Sequence, residues 1–414
     1  MSGRDPQEQG RVATPLELLF DLTFVVAFAN AGNQMAHMVA AGHWAMGATG
    51  FVFVIFGITW AWINYAWFAS AFDTDDWAYR LLTMVQMIGV VIFALGLAPF
   101  FHSLEGGEHV DNRTMVLGYV VMRAAMLVQW LRAAAQCPES RTTARLYAVT
   151  LAIAQVGWVA LGVANTSLGI FLGAAGVLSL VEMSGPYLAE TRTNGTPWHA
   201  HHIAERYSLL VIVTLGEGVV GAVVSLEALL AAQGWELTTA AFVFASMGLT
   251  FGMWWIYFVV PFGEILHHRP ERGFVFGYGH IVVFGAIAAV GAGLHVMACY
   301  LEAHHDPEEF GWVHISQAGA VLAVALPVML FFTFLIAIWR YLFRSNDRLH
   351  TVEFLLTVAT LIGAVALAAA HVSLTVCLLV IALAPAIVVV GYEVAGGHEK
   401  QAAALEAESS GSHH

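Results

Sequence analysis

The chain has 414 residues, 59% of them hydrophobic and only 11% charged, and carries a net charge of −13. A soluble domain is about 25% charged, so this composition argues against a water-soluble globular fold; with no basic patch it also argues against a nucleic-acid partner. Cys137, Cys299 and Cys377 stand far apart without CxxC spacing, so neither a zinc site nor a disulfide framework is expected.

The first fourteen residues, "MSGRDPQEQGRVAT", are polar and lack the charged and apolar regions of a cleavable signal peptide. A bilayer core of about 30 Å needs roughly 20 apolar residues per helix. Twelve such segments follow, near 15–40, 44–70, 77–102, 113–135, 143–164, 166–187, 203–230, 237–262, 273–301, 312–341, 350–370 and 372–394. Turn and charge clusters such as "FDTDDWAYR", "CPESRTTAR" and "HHRPERG" separate them, and no loop is long enough for a soluble domain. The expected fold is all-α: a polytopic transmembrane bundle of about twelve spans, ending in a disordered cytoplasmic tail over 397–414.

Arginines set the orientation. Arg4, Arg11, Arg80, Arg132, Arg141, Arg192, Arg269 and Arg340 fall on the side of the N-terminus, whereas the acidic loops 105–111 and 302–309 fall on the other. By the positive-inside rule both termini are cytoplasmic and the protein is a multi-pass component of the cell membrane.

The chain also reads as duplicated. "RLYAVTLAIAQ" at 145 resembles "RLHTVEFLLTV" at 348, "WAWINYAW" at 60 resembles "MWWIYFVV" at 253, and "ELLFDLTFVVAF" at 17 aligns with "ERYSLLVIVTLG" at 205. The offset is about 190 to 206 residues throughout. Two six-helix repeats are expected, 15–190 and 191–396, after a tail of 1–14; an even number of spans makes the repeats parallel.

Charges inside the spans are the candidate functional residues. "TPLE" reads as a helix start with Thr14 at the N-cap, Pro15 at N1 and Glu17 at N3, a capping box that accounts for Glu17. Asp21 lies one turn deeper, where an Asp costs about 2.5–3.5 kcal/mol on insertion scales and faces a bundle interior or a wet cavity. The two carboxylates share a face at i,i+4, so the pair is able to hold a shared proton; a structural tie to an arginine is the competing reading. Glu205 stands where Glu17 does in the second repeat, next to Arg206. Glu217 follows twelve residues later between Gly216 and Gly218, which would loosen the helix or admit a close neighbour. Arg123 in "VVMRAAMLVQW" needs an acidic partner, with Glu217 or Asp21 the natural candidates. Gln86 and His280 occupy matching places in the two halves and read either as a proton relay or as interhelical hydrogen-bonding groups. The histidines of "WHAHHIAE" match no metal-binding spacing, and no metal or other cofactor is expected. Trp44, Trp77, Trp198, Trp235, Trp312 and Trp339 lie near span ends as an aromatic belt, whereas Trp60, Trp62, Trp254 and Trp255 lie deeper.

"PLELLFDLTFVVAF" and "HIAERYSLLVIVTLGEGVV" together resemble the bacterial low-temperature-requirement A family, which has an ELFFDL-type opening and a mid-chain HxxERxxLxxIxxLGE-type motif. The matches are Glu17, Phe20, Asp21 and Leu22, then His202, Glu205, Arg206, Leu209, Leu215, Gly216 and Glu217. Ser208 and Thr214 depart from the expected apolar character. The resemblance implies a multi-spanning membrane protein and carries over no catalytic residues.

Deep carboxylates, a buried arginine and the absence of a phosphate-binding loop favour a proton-coupled secondary transporter of a small molecule. The alternatives are an intramembrane enzyme acting on a lipid or isoprenoid-like substrate through Asp21 or Glu217, and a structural or sensory membrane protein. The expected partners are the lipid bilayer and that substrate, and oligomeric state is left open.

Overall fold

The computed structural model describes all residues except 107–108, 165, 345–347, 395, 398 and 400–414, and the side chains of 232–233. The expected tail over 397–414 therefore lies almost wholly outside the described residues. Every regular element among the described residues is helical: α1 (Pro15–Ala40), α2 (Trp44–Phe72), α3 (Trp77–Leu95), α4 (Leu97–Gly106), α5 (Arg113–Gln136), α6 (Arg141–Val163), α7 (Leu168–Arg192), α8 (Ala200–Gln233), α9 (Leu237–Phe258), α10 (Phe262–His268), a 3-10 turn Pro270–Arg272, α11 (Gly273–His305), α12 (Gln317–Phe343), α13 (Arg348–Ala369) and α14 (Leu374–Val394). Among the described residues twelve stretches are long and apolar enough to cross a membrane, one for each segment read from the sequence. The protein is a polytopic membrane protein.

Local chemistry explains where the helices start and break. Thr14 and Glu17 form the reciprocal cap expected of "TPLE": the Thr14 N–H donates to Glu17 Oε2 at 2.8 Å, and the Glu17 N–H to Thr14 Oγ1 at 3.3 Å. Asp76 caps α3 by accepting from the Tyr79 N–H at 3.0 Å. The third span is interrupted between α3 and α4 at Gly96, three residues before Pro99, which has no N–H for the preceding turn. In the same way Pro261 separates α9 from α10.

The chain divides into two compact units, Met1–Gln34 with Val52–Arg206, and Met35–Phe51 with Tyr207–His414. In the first unit α3 packs on α5, α5 on α6 and α6 on α7. Gly118 sets the α3–α5 spacing, because a Cβ there would meet the Phe93 backbone. The Trp130 ring lies flat on Tyr147 with centroids 4.0 Å apart, and Phe68 meets it edge-on. In the second unit α11 packs on α12, α12 on α13, α13 on α14 and α14 on α9. Gly293 plays the part of Gly118 here, with a Cβ excluded by the Ala323 carbonyl.

Candidate functional site

The first unit holds a buried charge cluster at the N-terminal ends of α1 and α8. The i,i+4 spacing puts Glu17 and Asp21 on one face of α1, and His202 and Arg206 on one face of α8. The Arg206 guanidinium bridges both acids: Nη1 donates to Glu17 Oε1 at 2.6 Å, and Nη2 to Asp21 Oδ1 at 2.5 Å. The His202 Nε2 lies 3.2 Å from Glu17 Oε2. Trp62 of α2 donates its indole N–H to Asp21 Oδ1 at 2.6 Å. The guanidinium carbon also sits 5.6 Å from the Trp62 ring centroid and 5.8 Å from that of Tyr65. Glu17, His202 and Arg206 are fully buried and Asp21 nearly so.

The cluster is short of hydrogen-bond partners and of positive charge. Asp21 Oδ2, Arg206 Nε and His202 Nδ1 are buried with none of the described atoms to bond. Two carboxylates share one guanidinium, leaving a net negative charge where desolvation is costly unless a proton or cation offsets it. One set of contacts ties the cluster to its surroundings. His199 Nδ1 accepts from the His202 N–H at 3.2 Å, and the His199 Nε2 lies 2.9 Å from the Glu8 carbonyl. Arg11 caps the C-terminus of α2 by donating to Ser70 O at 2.6 Å and Ala69 O at 2.9 Å. Outside the spans, burial pushes the Asp73 carboxyl up, while Arg4 holds Glu8 down by hydrogen bonding.

The remaining candidates are placed separately. Glu205 lies on α8 beside the cluster, half-buried, and its Oε2 accepts from the Ala13 N–H at 3.1 Å. Gln86 donates to Gln129 of α5 at 3.1 Å. In the second unit His280 is buried, with Nε2 3.0 Å from the Tyr257 hydroxyl and Nδ1 2.7 Å from the Phe276 carbonyl. Glu217 is also buried, and among the described residues its carboxylate has no hydrogen-bond or ion-pair partner. Of its flanking glycines, Gly218 admits a close neighbour, the Thr250 side chain of α9, while a Cβ at Gly216 meets none of the described atoms; Gly291 of α11 also lies against the Glu217 backbone.

The expected partner of Arg123, Glu217 or Asp21, is instead Glu182 of α7, with Nη2 3.7 Å from Glu182 Oε2. Asp21 is already committed to Arg206 and Trp62. Glu182 in turn accepts from the Tyr119 hydroxyl and from Gln155 Nε2, the latter at 3.0 Å, and Arg123 Nε and Nη1 stay buried without partners among the described residues. Glu182, Tyr119, Gln155 and Tyr65 are residues the sequence reading did not single out, and Trp62 was noted only for its depth. Glu182 carried the same signal as Asp21, an acid in the apolar run "VLSLVEMSG", but it stood close enough to the expected span end to pass as interfacial.

Twelve apolar spans with buried ion pairs among them define a polytopic helical membrane protein. The sequence model of the bacterial low temperature requirement A protein (LtrA) family matches residues 12–385, and the chain belongs to that family. It is similar to the uncharacterized protein RA0937 of Rhizobium meliloti (strain 1021), 25% identical over 333 residues that cover 76% of this chain and 73% of that one. No solved structure matches.

Proposed function

We propose that the protein is a proton-coupled secondary transporter of a small molecule, with Asp21 in the first unit and Glu217 in the second as proton-carrying groups. The observation that carries the reading is the state of their carboxylates: among the described residues Asp21 Oδ2 is buried with no partner, and the largely buried Glu217 has no hydrogen-bond or ion-pair partner. A carboxylate sealed in this way is stabilised by taking a proton. The fixed guanidinium of Arg206 keeps Asp21 in place while the proton comes and goes. Arg123 and Glu182 serve as a second, loosely paired charge set deeper in the first unit. Gln86 and His280 hold neighbouring segments together by interhelical hydrogen bonds, and Glu205 ties the N-terminal strand of the chain to α8.

The same reading takes the protein as two parallel repeats with both termini cytoplasmic. The shared packing order supports it: α3, α5, α6 and α7 neighbour one another in sequence, as do α11, α12, α13 and α14. So does the pair of tight crossings, where Gly96 lies against Thr114 and Met115 and Gly293 lies against Ala323 and Val324.

The test begins with metabolite profiles of cells with and without the gene, which nominate the substrate. Uptake of that molecule into proteoliposomes is then measured under an imposed pH gradient. Wild-type protein is expected to show gradient-dependent uptake, and Asp21→Asn and Glu217→Gln proteins that fold are expected to lose it. Wild-type uptake in both variants overturns the assignment.

A further inference from the structure

Residues 1–13 precede the first span and fold back on the first unit as a strap. The Arg4 N–H donates to the Ala71 carbonyl at 2.9 Å, beside the Ser70 and Ala69 carbonyls that the buried Arg11 holds. Gly3 packs so closely on Pro197 that a Cβ there would meet the proline ring. At the far end the Ala13 N–H is on Glu205, and the next N–H, of Thr14, is on Glu17. Between these anchors the strap is polar and exposed: the Glu8 N–H turns back to the Asp5 carbonyl at 3.2 Å, and Gly10 takes a φ of 71°. Val12 is 65% exposed, so hydrogen bonds rather than apolar burial hold the strap down. A segment held in that way opens at little cost in free energy.

His199 joins this strap to α8. It is the N-cap of the helix: its carbonyl accepts from the Ile203 N–H at 3.0 Å, and its Nδ1 accepts from the His202 N–H at 3.2 Å. Its own N–H donates to Ser70 Oγ at 2.9 Å, and the side chain is buried. An amide N–H only donates, so Nδ1 carries no proton and the ring proton is on Nε2, which donates to the Glu8 carbonyl at 2.9 Å. Both contacts are therefore made by the neutral imidazole. One turn further along α8, His202 and Arg206 hold Glu17. The charged and titratable groups around the ring are Glu8, Arg4 and Arg11 on the strap, Asp73 beyond α2, Glu17 on α1, His201, His202, Glu205 and Arg206 on α8, and Glu190 of α7, which accepts from the Thr196 N–H.

We propose that residues 1–13 are a pH-released cover on the Glu17–Asp21–Arg206 cluster, with the neutral His199 ring as its latch. Uptake of one proton at Nδ1 turns the ring into a cation with two donors and no acceptor. The His202 N–H then faces another N–H, and the cap on α8 is lost. A positive charge also stands at the positive end of the helix dipole, in a region that already holds Arg4 and Arg11. The ring leaves its place, the strap loses the Glu8 contact, and water reaches Glu17 and Asp21 from the side of the N-terminus. Asp73, His202 and Glu205 also gain protons as pH falls, but His199 alone joins the strap backbone to the capped N–H of α8. The latch operates whether or not the cluster moves protons across the membrane.

Hydrogen–deuterium exchange of the full-length reconstituted protein tests this, read by mass spectrometry at about pH 8 and pH 5, the range over which histidine changes charge. Labelling times are scaled for the intrinsic pH dependence of amide exchange. In the wild type, peptides covering the strap and the first turn of α8 are expected to lose protection at the lower pH by about five-fold, the factor that loss of one helix cap amounts to. Peptides from the middle of α5 are expected to keep theirs. His199→Asn supplies a capping acceptor that does not titrate, and is expected to give the same strap protection at both pH values. Unchanged strap protection in the wild type overturns the proposal, and that arm requires no variant to fold. Equal loss along α5 overturns it too, as general loosening. A pH response that survives in folded His199→Asn protein overturns the assignment of the latch to His199.

Discussion

Arg206 and Asp21 meet through a single short contact, Nη2 to Oδ1 at 2.5 Å, and each keeps a buried polar atom with nothing to bond: Nε on the arginine and Oδ2 on the aspartate. The pair is strongly held yet incompletely satisfied. A buried ion pair arranged only for rigidity gains from satisfying the remaining atoms. The open oxygen is where a proton can be added without dismantling the contacts that position the group.

Removing the arginine should be more damaging than removing either acid. Arg206→Ala leaves two buried carboxylates facing one another, and loss of one partner of a buried pair costs about 3–5 kcal/mol. Arg206→Lys retains charge but lacks the planar fork that spans Glu17 and Asp21, so it should fall between the two. Thermal unfolding in detergent, followed by fluorescence-detected size exclusion, is expected to rank wild type above Lys and Lys above Ala.

Trp62 is the second donor to Asp21 and stacks against the guanidinium. Trp62→Phe keeps an aromatic ring and removes the N–H. Arg206 still donates to the same oxygen, so the cost is that of one hydrogen bond to a charged group, about 1.5–3 kcal/mol. The same substitution in an Asp21→Asn background should cost less, because the charged acceptor is already gone. A double-mutant cycle on unfolding midpoints measures the difference, and equal costs in both backgrounds would show that the indole N–H does nothing for Asp21.

Outside the spans, Asp76 combines a helix cap with an ion pair to Arg132, and that pair holds its carboxyl well below the usual range. A carboxyl depressed on folding contributes its full stability above the unfolded value of about 3.9 and loses it progressively as pH falls from there through the depressed folded value. The pair is partly solvated, so its worth is about 1 kcal/mol. Asp76→Asn retains the cap and removes the charge. Its unfolding midpoint should lie below wild type from pH 5 to 8 and begin to converge with it only as pH falls below about 4.

The tight helix crossings give a stability test of the packing. A side chain at Gly118 or Gly293 has to displace the backbone of the neighbouring helix, whereas Gly173 faces open space. Gly118→Val and Gly293→Val should each cost about 1–3 kcal/mol or more. Gly173→Ala should be neutral or stabilising, since it relieves the helix of glycine's conformational entropy. Unfolding midpoints of the three proteins check this directly.

The architecture was legible because hydrocarbon imposes a length and composition on each span that needs no tertiary information. The capping role of Glu17 was legible for the same reason, being local to four residues. Arg206 as the bridge between Glu17 and Asp21 was not, because almost two hundred residues separate it from them and a charge at a helix entry reads as interfacial. The partner of Arg123 failed similarly. Composition says that a buried guanidinium needs an acid, but only packing of α5 against α6 and α7 brings it to Glu182. From the sequence Trp62 is only a deeply placed tryptophan, and its N–H acquires a meaning only once α2 lies beside α1.

The central claim is that Asp21 takes up and releases a proton while Arg206 holds it in place, and infrared spectroscopy reads that proton without a substrate. In reconstituted protein, with Glu217→Gln as the background, a C=O stretch of a protonated carboxyl should grow in as pH is lowered, shift in deuterated buffer and vanish when Asp21→Asn is added. Absence of such a band, or a band that survives the added substitution, would contradict the assignment of Asp21 as a proton carrier.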